Sequence, residues 1–148
     1  MKTRNEHFTA EDILEHWRQG KSALDWRPLT TKVKRQWLRA CLRWTGLPVS
    51  KIRSFSYVVD GNQVQSDVDF FCLLGEVFFG YRGYFGQDSE GFSDCFAEIF
   101  MKTNDKELAE KGAKVNFKNT TQVKSVLHDN FHYIVESFRN AGVDVELD

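Results

Sequence analysis

Cysteine is scarce in this sequence, and long apolar runs are absent. The three cysteines, Cys41, Cys72 and Cys95, are far apart and have no C-x-x-C spacing. This pattern argues against a disulfide framework or a zinc ribbon and favours a reducing cytosol. No apolar run reaches the roughly 18 residues of a membrane span, and no charged-then-apolar leader opens the sequence. We therefore expect a cytoplasmic protein without a membrane partner.

Sequence motifs of several enzyme classes are also missing. Neither a Gly-rich phosphate loop nor a G-x-S-x-G nucleophile elbow occurs. His128 and His132 belong to H-D-N-F-H, which resembles the H-E-x-x-H of zinc proteases. However, Asp129 replaces the longer Glu, and no third ligand is evident. We favour a role for both histidines as flanking residues of an amphipathic helix, and we predict no catalytic residue, no metal site and no cofactor.

Basic residues are almost absent between Asp60 and Glu98, where Arg82 stands against eight acids. The net charge of -1 hides a wider asymmetry, because residues 1–53 carry +7 and residues 54–148 carry -8. All four tryptophans precede residue 54, whereas 12 of the 13 phenylalanines follow it. Composition and charge thus divide the chain into a basic helical extension, residues 1–50, and a second unit, residues 51–148.

The extension contains two amphipathic helix patterns. Thr9 is the predicted N-cap of a short helix that ends at Gly20, and a second helix is predicted from Thr30 or Thr31 to Thr45. The second helix has an apolar face of Val33, Trp37, Cys41 and Trp44 and a basic face of Lys32, Arg35, Arg39 and Arg43. The basic face could contact nucleic acid or an anionic surface, or it could dock on the acidic part of the same chain. Because two such helices cannot bury themselves, we expect them to dock on residues 54–148.

Residues 54–148 alternate between strand and helix patterns. The predicted strands are residues 55–59, 113–118 and 143–147; the predicted helices begin at Ser66 or Asp67, at Asp88 or Ser89, and at Thr120 or Thr121. The last helix is predicted to run without a break until residues 140–142. This order predicts an α/β fold with a small, mostly parallel three-stranded sheet flanked by helices.

An acidic helix is the most unusual feature of the second unit. Its apolar residues Phe92, Cys95, Phe96, Ile99 and Phe100 have helical spacing, so the acids are expected on the other side. Glu90, Asp94 and Glu98 are spaced by four, and like charges at that spacing repel by about 0.2–0.5 kcal/mol per pair. We expect a compensating interaction. The local charge of -7 between Asp60 and Glu98 would steer a basic partner toward this helix.

Three other interpretations of the acids are open. They could form a solvated acidic face that keeps the protein soluble. They could be a catalytic carboxylate pair, although the helix has no basic residue to separate the two pKa values. They could bind calcium, although their order on a helix does not fit an EF-hand loop.

Residues 84–96, YFGQDSEGFSDCF, resemble the signature Y-[FY]-G-x-N-x-D-A-L-x-D of the barstar family of intracellular ribonuclease inhibitors. The D-G-N turn before the first helix of this unit and the N-A-G-V-D stretch before the last strand also fit. The resemblance covers about residues 54–148 and leaves the extension without a counterpart.

The resemblance implies a non-catalytic immunity protein that blocks the active site of a basic nuclease toxin as a 1:1 complex. Asp94 would then mimic the substrate phosphate, Glu90 would pair with a neighbouring basic residue, and Tyr84 would pack on the partner. The full set of expected partner-binding residues is Tyr84, Phe85, Asp88, Glu90, Ser93, Asp94 and Glu98.

The sequence departs from the family signature at five positions. Asp88 replaces Asn, Glu90 replaces Asp, Gly91 replaces Ala, Phe92 replaces Leu, and Ser93 replaces a frequent aromatic. These departures imply a partner surface different from that of the family's best-known nuclease. The alternative function is a nucleic-acid-binding regulator that uses the basic helix of the extension; on the inhibitor interpretation no nucleic-acid partner is expected.

Overall fold

The computed structural model of the chain describes residues 7–20, 24–46, 56–101 and 113–148. Within these ranges the chain forms six α-helices and three β-strands. In chain order they are α1 (Ala10–Arg18), α2 (Thr31–Thr45), β1 (Ser56–Asp60), α3 (Asp67–Phe79), α4 (Ser89–Phe96), β2 (Lys114–Lys118), α5 (Thr120–Leu127), α6 (Asp129–Asn140) and β3 (Asp144–Leu147). The predicted boundary between extension and second unit lies outside the described residues, as does Phe55.

The three strands form one sheet in the order β1-β2-β3, and both pairings are parallel. Tyr57 of β1 lies beside Val115 of β2, which lies beside Val145 of β3. These three side chains are buried. The α/β prediction, with a small parallel sheet flanked by helices, is therefore confirmed.

Both helices of the extension begin with capping residues that the sequence predicts. The Thr9 side chain accepts a hydrogen bond from the Asp12 backbone N–H while the Asp12 side chain accepts from the Thr9 N–H, a complete capping box. Thr30 caps α2 by accepting from the Val33 N–H. Gly46, at φ 74°, ends α2 with an N–H bond to the Leu42 carbonyl. Both helices of the extension thus have the predicted bounds to within about two residues.

The long C-terminal helix predicted from the sequence is wrong in one respect: the structure divides it into α5 and α6. The break is at His128, whose backbone has φ 52° and ψ -130°. The His128 N–H closes α5 on the Lys124 carbonyl, and the His128 carbonyl accepts from the Phe131 N–H in α6. Leu127 and Phe131 keep a helical spacing of four across the break and are both buried, so periodicity gives no sign of it.

The extension docks on α3, in agreement with the prediction that it docks on residues 54–148. Val33, Trp37 and Cys41 of α2 are buried in the same core cluster as Phe71 and Leu74 of α3. Trp44, the fourth residue predicted on this apolar face, remains 40% exposed. The contact explains how two small amphipathic helices bury their apolar stripes.

Ion pairs fix the docking and use the acids of α3. Lys34 Nζ lies 2.6 Å from a carboxylate oxygen of Asp69, and the two side chains are only 12% and 3% exposed. Arg27 pairs with Glu76 at 2.6 Å, and Arg35 lies 3.7 Å from Asp67. The basic segment therefore neutralises acids of its own chain.

None of the helices in the described ranges is both long and apolar enough to cross a membrane. The three cysteines are buried and form no disulfide.

Candidate functional site

A tight loop between α3 and α4 positions the acidic helix. Gly86 in this loop has φ 94°, and a Cβ at this position would lie 2.3 Å from the backbone nitrogen of Phe92. No side chain fits there, so the loop can fold back against the first turn of α4 only because residue 86 is glycine. This contact accounts for the glycine that follows the aromatic pair in Y-F-G.

We expect Gly86→Ala to destabilise the fold more than Gly80→Ala. Gly80 also has a positive φ, 82°, but a Cβ there would meet no atom within 4 Å. Gly80→Ala should therefore lower the free energy of unfolding by about 1–3 kcal/mol, the cost of placing a Cβ at φ 82° and ψ -170°, a region that essentially only glycine adopts. Gly86→Ala should cost roughly 1–3 kcal/mol more because the backbone of α4 must move. Urea unfolding followed by circular dichroism measures both values, and equal losses would show that the close approach to Phe92 carries no energy.

Asp88 is the N-cap of α4, one of the two caps that the sequence offered. Its Oδ1 accepts a 2.8 Å hydrogen bond from the Gly91 N–H. A Cβ at Gly91 would approach Asp88 Oδ1 and the Gly86 Cα to 3.3 Å. Gly91 therefore fits a crowded first turn, which gives an intramolecular reason for glycine inside the helix.

Of the predicted apolar residues, Phe92, Cys95, Phe96 and Ile99 are buried, and the side chain of Phe100 lies outside what the structure describes. Phe92 stacks on Phe85 with ring centroids 5.0 Å apart and meets Phe138 of α6 edge to face at 5.8 Å. Cys95 is buried as well, and burial, followed by the charges of Asp94 and Glu98, raises the pKa of its thiol to about 12. Such a thiol stays protonated and is no nucleophile at neutral pH.

Tyr84 and Phe85, two of the expected partner-binding residues, belong to the core. Tyr84 is 4% exposed and Phe85 is 0% exposed. Burial raises the pKa of the Tyr84 phenol to about 12, with smaller contributions from Cys95, Asp88 and Asp94. The two aromatics therefore support the loop and α4 from beneath, and the surface of the site consists of other residues.

Glu90 and Asp94 are exposed on the outer face of α4. Neither carboxylate has a cation partner within the described ranges 7–20, 24–46, 56–101 and 113–148. The acids of α3 differ in this respect, because Asp67, Asp69 and Glu76 lie beside cations of the extension. The local charge of -7 is thus partly balanced, and its uncompensated part includes these two carboxylates of α4.

Glu98 does not continue the row of α4 acids in regular helical register. The α-helix ends at Phe96, and Ala97–Met101 forms a π-helical turn. A π turn holds more residues than an α turn, so the side chain is rotated away from the Glu90–Asp94 line. Glu98 is half-buried. The predicted stack of three acids is therefore a pair with a displaced third member.

Ser93 connects α4 to α6 through a residue that sequence analysis missed. Its Oγ donates to the Ser89 carbonyl at 3.0 Å and shares a 2.5 Å hydrogen bond with the hydroxyl of Tyr133. Tyr133 is 47% exposed and lies beside the acidic face. The only sequence signal for an exposed Tyr133 is its place next to His132, outside the helical spacing of the apolar residues of α6.

Within the part of the chain that the structure describes, no group of three or more His, Cys, Asp or Glu side chains could hold a metal ion. Searches of protein-family models, curated proteins and solved structures found no match to this chain.

Proposed function

We propose that this chain is a cytoplasmic inhibitor of a basic ribonuclease toxin, an immunity protein that blocks the nuclease active site with α4. One observation carries the proposal: the extension balances the acids of α3, whereas Glu90 and Asp94 remain exposed and lack a cation partner among the described residues. Two neighbouring carboxylates repel each other, and a basic active site would remove that cost. The resemblance of residues 84–96 to the barstar signature agrees with this role.

In the proposed complex each exposed residue has a distinct part. Asp94 occupies the position of the substrate phosphate, and Glu90, one turn earlier, pairs with an adjacent cation of the nuclease. Ser93 and Tyr133 form the rim on the α6 side. Tyr84 and Phe85 keep α4 rigid from below, so little ordering entropy is lost on binding. The inhibitor forms a 1:1 heterodimer and needs no catalytic residue and no cofactor.

The rival function, nucleic-acid binding by α2, has less support in the charges. Lys34 and Arg35 of α2 lie beside acids of α3, as does Arg27 in the loop before α2, and Arg43 pairs with Glu11 at 2.9 Å. Lys32 and Arg39 are the α2 cations without an ion-pair partner among the described residues. Two isolated cations give a weak electrostatic footprint for a phosphate backbone.

An inhibition titration tests the proposal. The purified protein is added to a basic ribonuclease toxin, and cleavage of a fluorogenic RNA is followed at physiological salt. We expect full inhibition at one equivalent. In parallel, a gel-shift assay with the same RNA should show no retardation by the protein alone. If cleavage is undiminished and the protein retards the RNA, the inhibitor hypothesis is wrong and the nucleic-acid-binding regulator is the better hypothesis.

Association with the ribonuclease should be fast and sensitive to salt. Because the exposed acids of α4 steer a basic partner, we expect the on-rate to fall on the order of tenfold between low and high ionic strength, with a smaller change in the off-rate. Stopped-flow measurements across a sodium chloride series give both rates. The double variant Glu90→Gln/Asp94→Asn is the matched control, and its on-rate should depend little on salt. If the on-rate of the unmodified protein does not change with salt, the acids are only a solvated surface.

A further inference from the structure

A cleft of about 400 Å³ opens where α5, α6 and β3 meet. Its floor is apolar and consists of Phe131, Val135 and Leu147. Its rim carries four basic or imidazole side chains, namely Lys124, His128, His132 and Arg139. Small-molecule sites combine these two features, an apolar body and a few convergent polar groups, in clefts of roughly 300–1,000 Å³.

The rim is basic, and most of its groups are available. The side chains of Lys124, His128 and His132 have no hydrogen-bond or ion-pair partner among the described residues, and no acid lines the cleft. Arg139 donates to Glu136 at 3.2 Å, but both side chains are 40% exposed or more. Such surface pairs contribute about 0–1 kcal/mol, so an anion in the cleft can compete for the guanidinium.

The backbone of His128 holds its side chain at the rim in an uncommon conformation. A residue with a Cβ pays a cost at φ 52° and ψ -130°, a position that glycine adopts more readily. Strained backbone conformations of this kind concentrate at ligand sites, where they hold a side chain in the position that binding requires. The break that ends α5 therefore places an imidazole on the cleft where a glycine would make the same turn with less strain.

The cleft is separate from the acidic surface of α4. His132, Val135 and Arg139 recur at the spacing of one face of α6, and Tyr133, which bonds Ser93 of α4, lies off that face. The charge of the two surfaces is also opposite. The proposed ribonuclease contact and the cleft can therefore be tested independently.

We propose that this cleft binds a small organic anion, with a ring-sized apolar body on Phe131, Val135 and Leu147 and a carboxylate or phosphate group at the basic rim. The apolar floor favours the body of the ligand because Leu147, 40% exposed, would lose its contact with water, whereas Phe131 and Val135 are already buried. The rim fixes the charged end, with Arg139 able to hold two oxygens at once. Neither half of the site binds tightly alone.

Phenyl phosphate is the probe for this site. Titration into the ¹⁵N-labelled full chain, followed by NMR, should shift the amides of α5, α6 and β3 with a dissociation constant on the order of 1 mM or below. Inorganic phosphate, which has only the charge, and benzyl alcohol, which has only the ring, should each bind at least about tenfold more weakly. If inorganic phosphate binds as tightly as phenyl phosphate, the apolar floor contributes nothing to binding and the proposal is wrong.

Two variants and a control assign the rim. Arg139→Gln and His132→Gln should each weaken phenyl phosphate binding by at least about fivefold, whereas Arg18→Gln, an exposed arginine on α1, should leave it unchanged. Thermal unfolding of each variant confirms that the fold persists, since all three side chains are exposed. Wild-type affinity in both rim variants, or shifts that spread over α4 in place of α5 and α6, would refute the site.

Discussion

Asp94→Ala is expected to lower the affinity for the proposed ribonuclease partner by at least about 2 kcal/mol, roughly thirtyfold, without loss of folding. The side chain is exposed, and within the described ranges it has no hydrogen bond and no ion pair. Alanine also favours the helix more than aspartate does. The variant should therefore unfold at the same urea concentration as the unmodified protein.

The loss of affinity follows from what Asp94 would meet. A nuclease active site is basic because it must hold a phosphate, and a carboxylate buried against such a site makes charge-assisted hydrogen bonds. Removing the carboxylate leaves those cations desolvated and without a partner, which costs more than the contact itself. The size of the effect is borrowed from charge pairs measured in the type complex of the barstar family.

Asp144→Ala is the matched control for this experiment. Asp144 is exposed at the start of β3, so the variant removes the same charge from a different surface. Its effect on affinity should stay within about 0.5 kcal/mol. Titration calorimetry of both variants separates a local contact from a general charge effect. If Asp94→Ala binds like the unmodified protein, the phosphate-mimic role of Asp94 is wrong.

The secondary structure was predictable because most of its causes are local. Thr9, Thr30 and Asp88 each cap the helix that their position in the sequence predicts. Period-two and helical spacing located the strands and the apolar faces, because burial of one face is what stabilises each element. A parallel sheet followed from the alternation of strands and helices.

The features that sequence analysis missed depend on the third dimension. The break at His128 is invisible because buried residues continue at helical spacing on both sides of it. Tyr84 and Phe85 precede an acidic helix in a loop, where an aromatic side chain fits a core and a partner surface equally well by pattern alone. The burial of Phe85 depends on Phe92 and on Phe138 of α6, the latter more than fifty residues away in sequence.

The charge asymmetry shows the same limit at the site itself. The sequence showed a basic extension and an acidic second unit, and it predicted their docking. It did not show which acids the extension would neutralise. That choice depends on the direction in which α2 crosses α3, which brings Lys34 to Asp69 and Arg27 to Glu76 and leaves Glu90 and Asp94 exposed.

Asp69→Ala is expected to lower the free energy of unfolding by about 3–5 kcal/mol, because it leaves the Lys34 ammonium in a nearly buried position without its counter-ion. Asp69 also accepts a 2.9 Å hydrogen bond from the Gln65 N–H, so the variant loses a support at the start of α3. Urea unfolding at neutral pH measures the loss. The matched control is Arg43→Gln, which breaks an ion pair to Glu11 whose side chains are both more than half exposed and should cost about 0–1 kcal/mol.

Lys34→Met should cost less than Asp69→Ala, although it breaks the same ion pair. The Asp69 carboxylate keeps the Gln65 N–H and lies in the first turn of α3, where the helix dipole favours a negative charge. The double variant Lys34→Met/Asp69→Leu leaves no buried charge and should recover much of the stability lost in Asp69→Ala. If this double variant loses as much stability as Lys34→Met and Asp69→Leu lose together when each is measured alone, the two charges act independently. The extension would then be held on α3 by its apolar face alone.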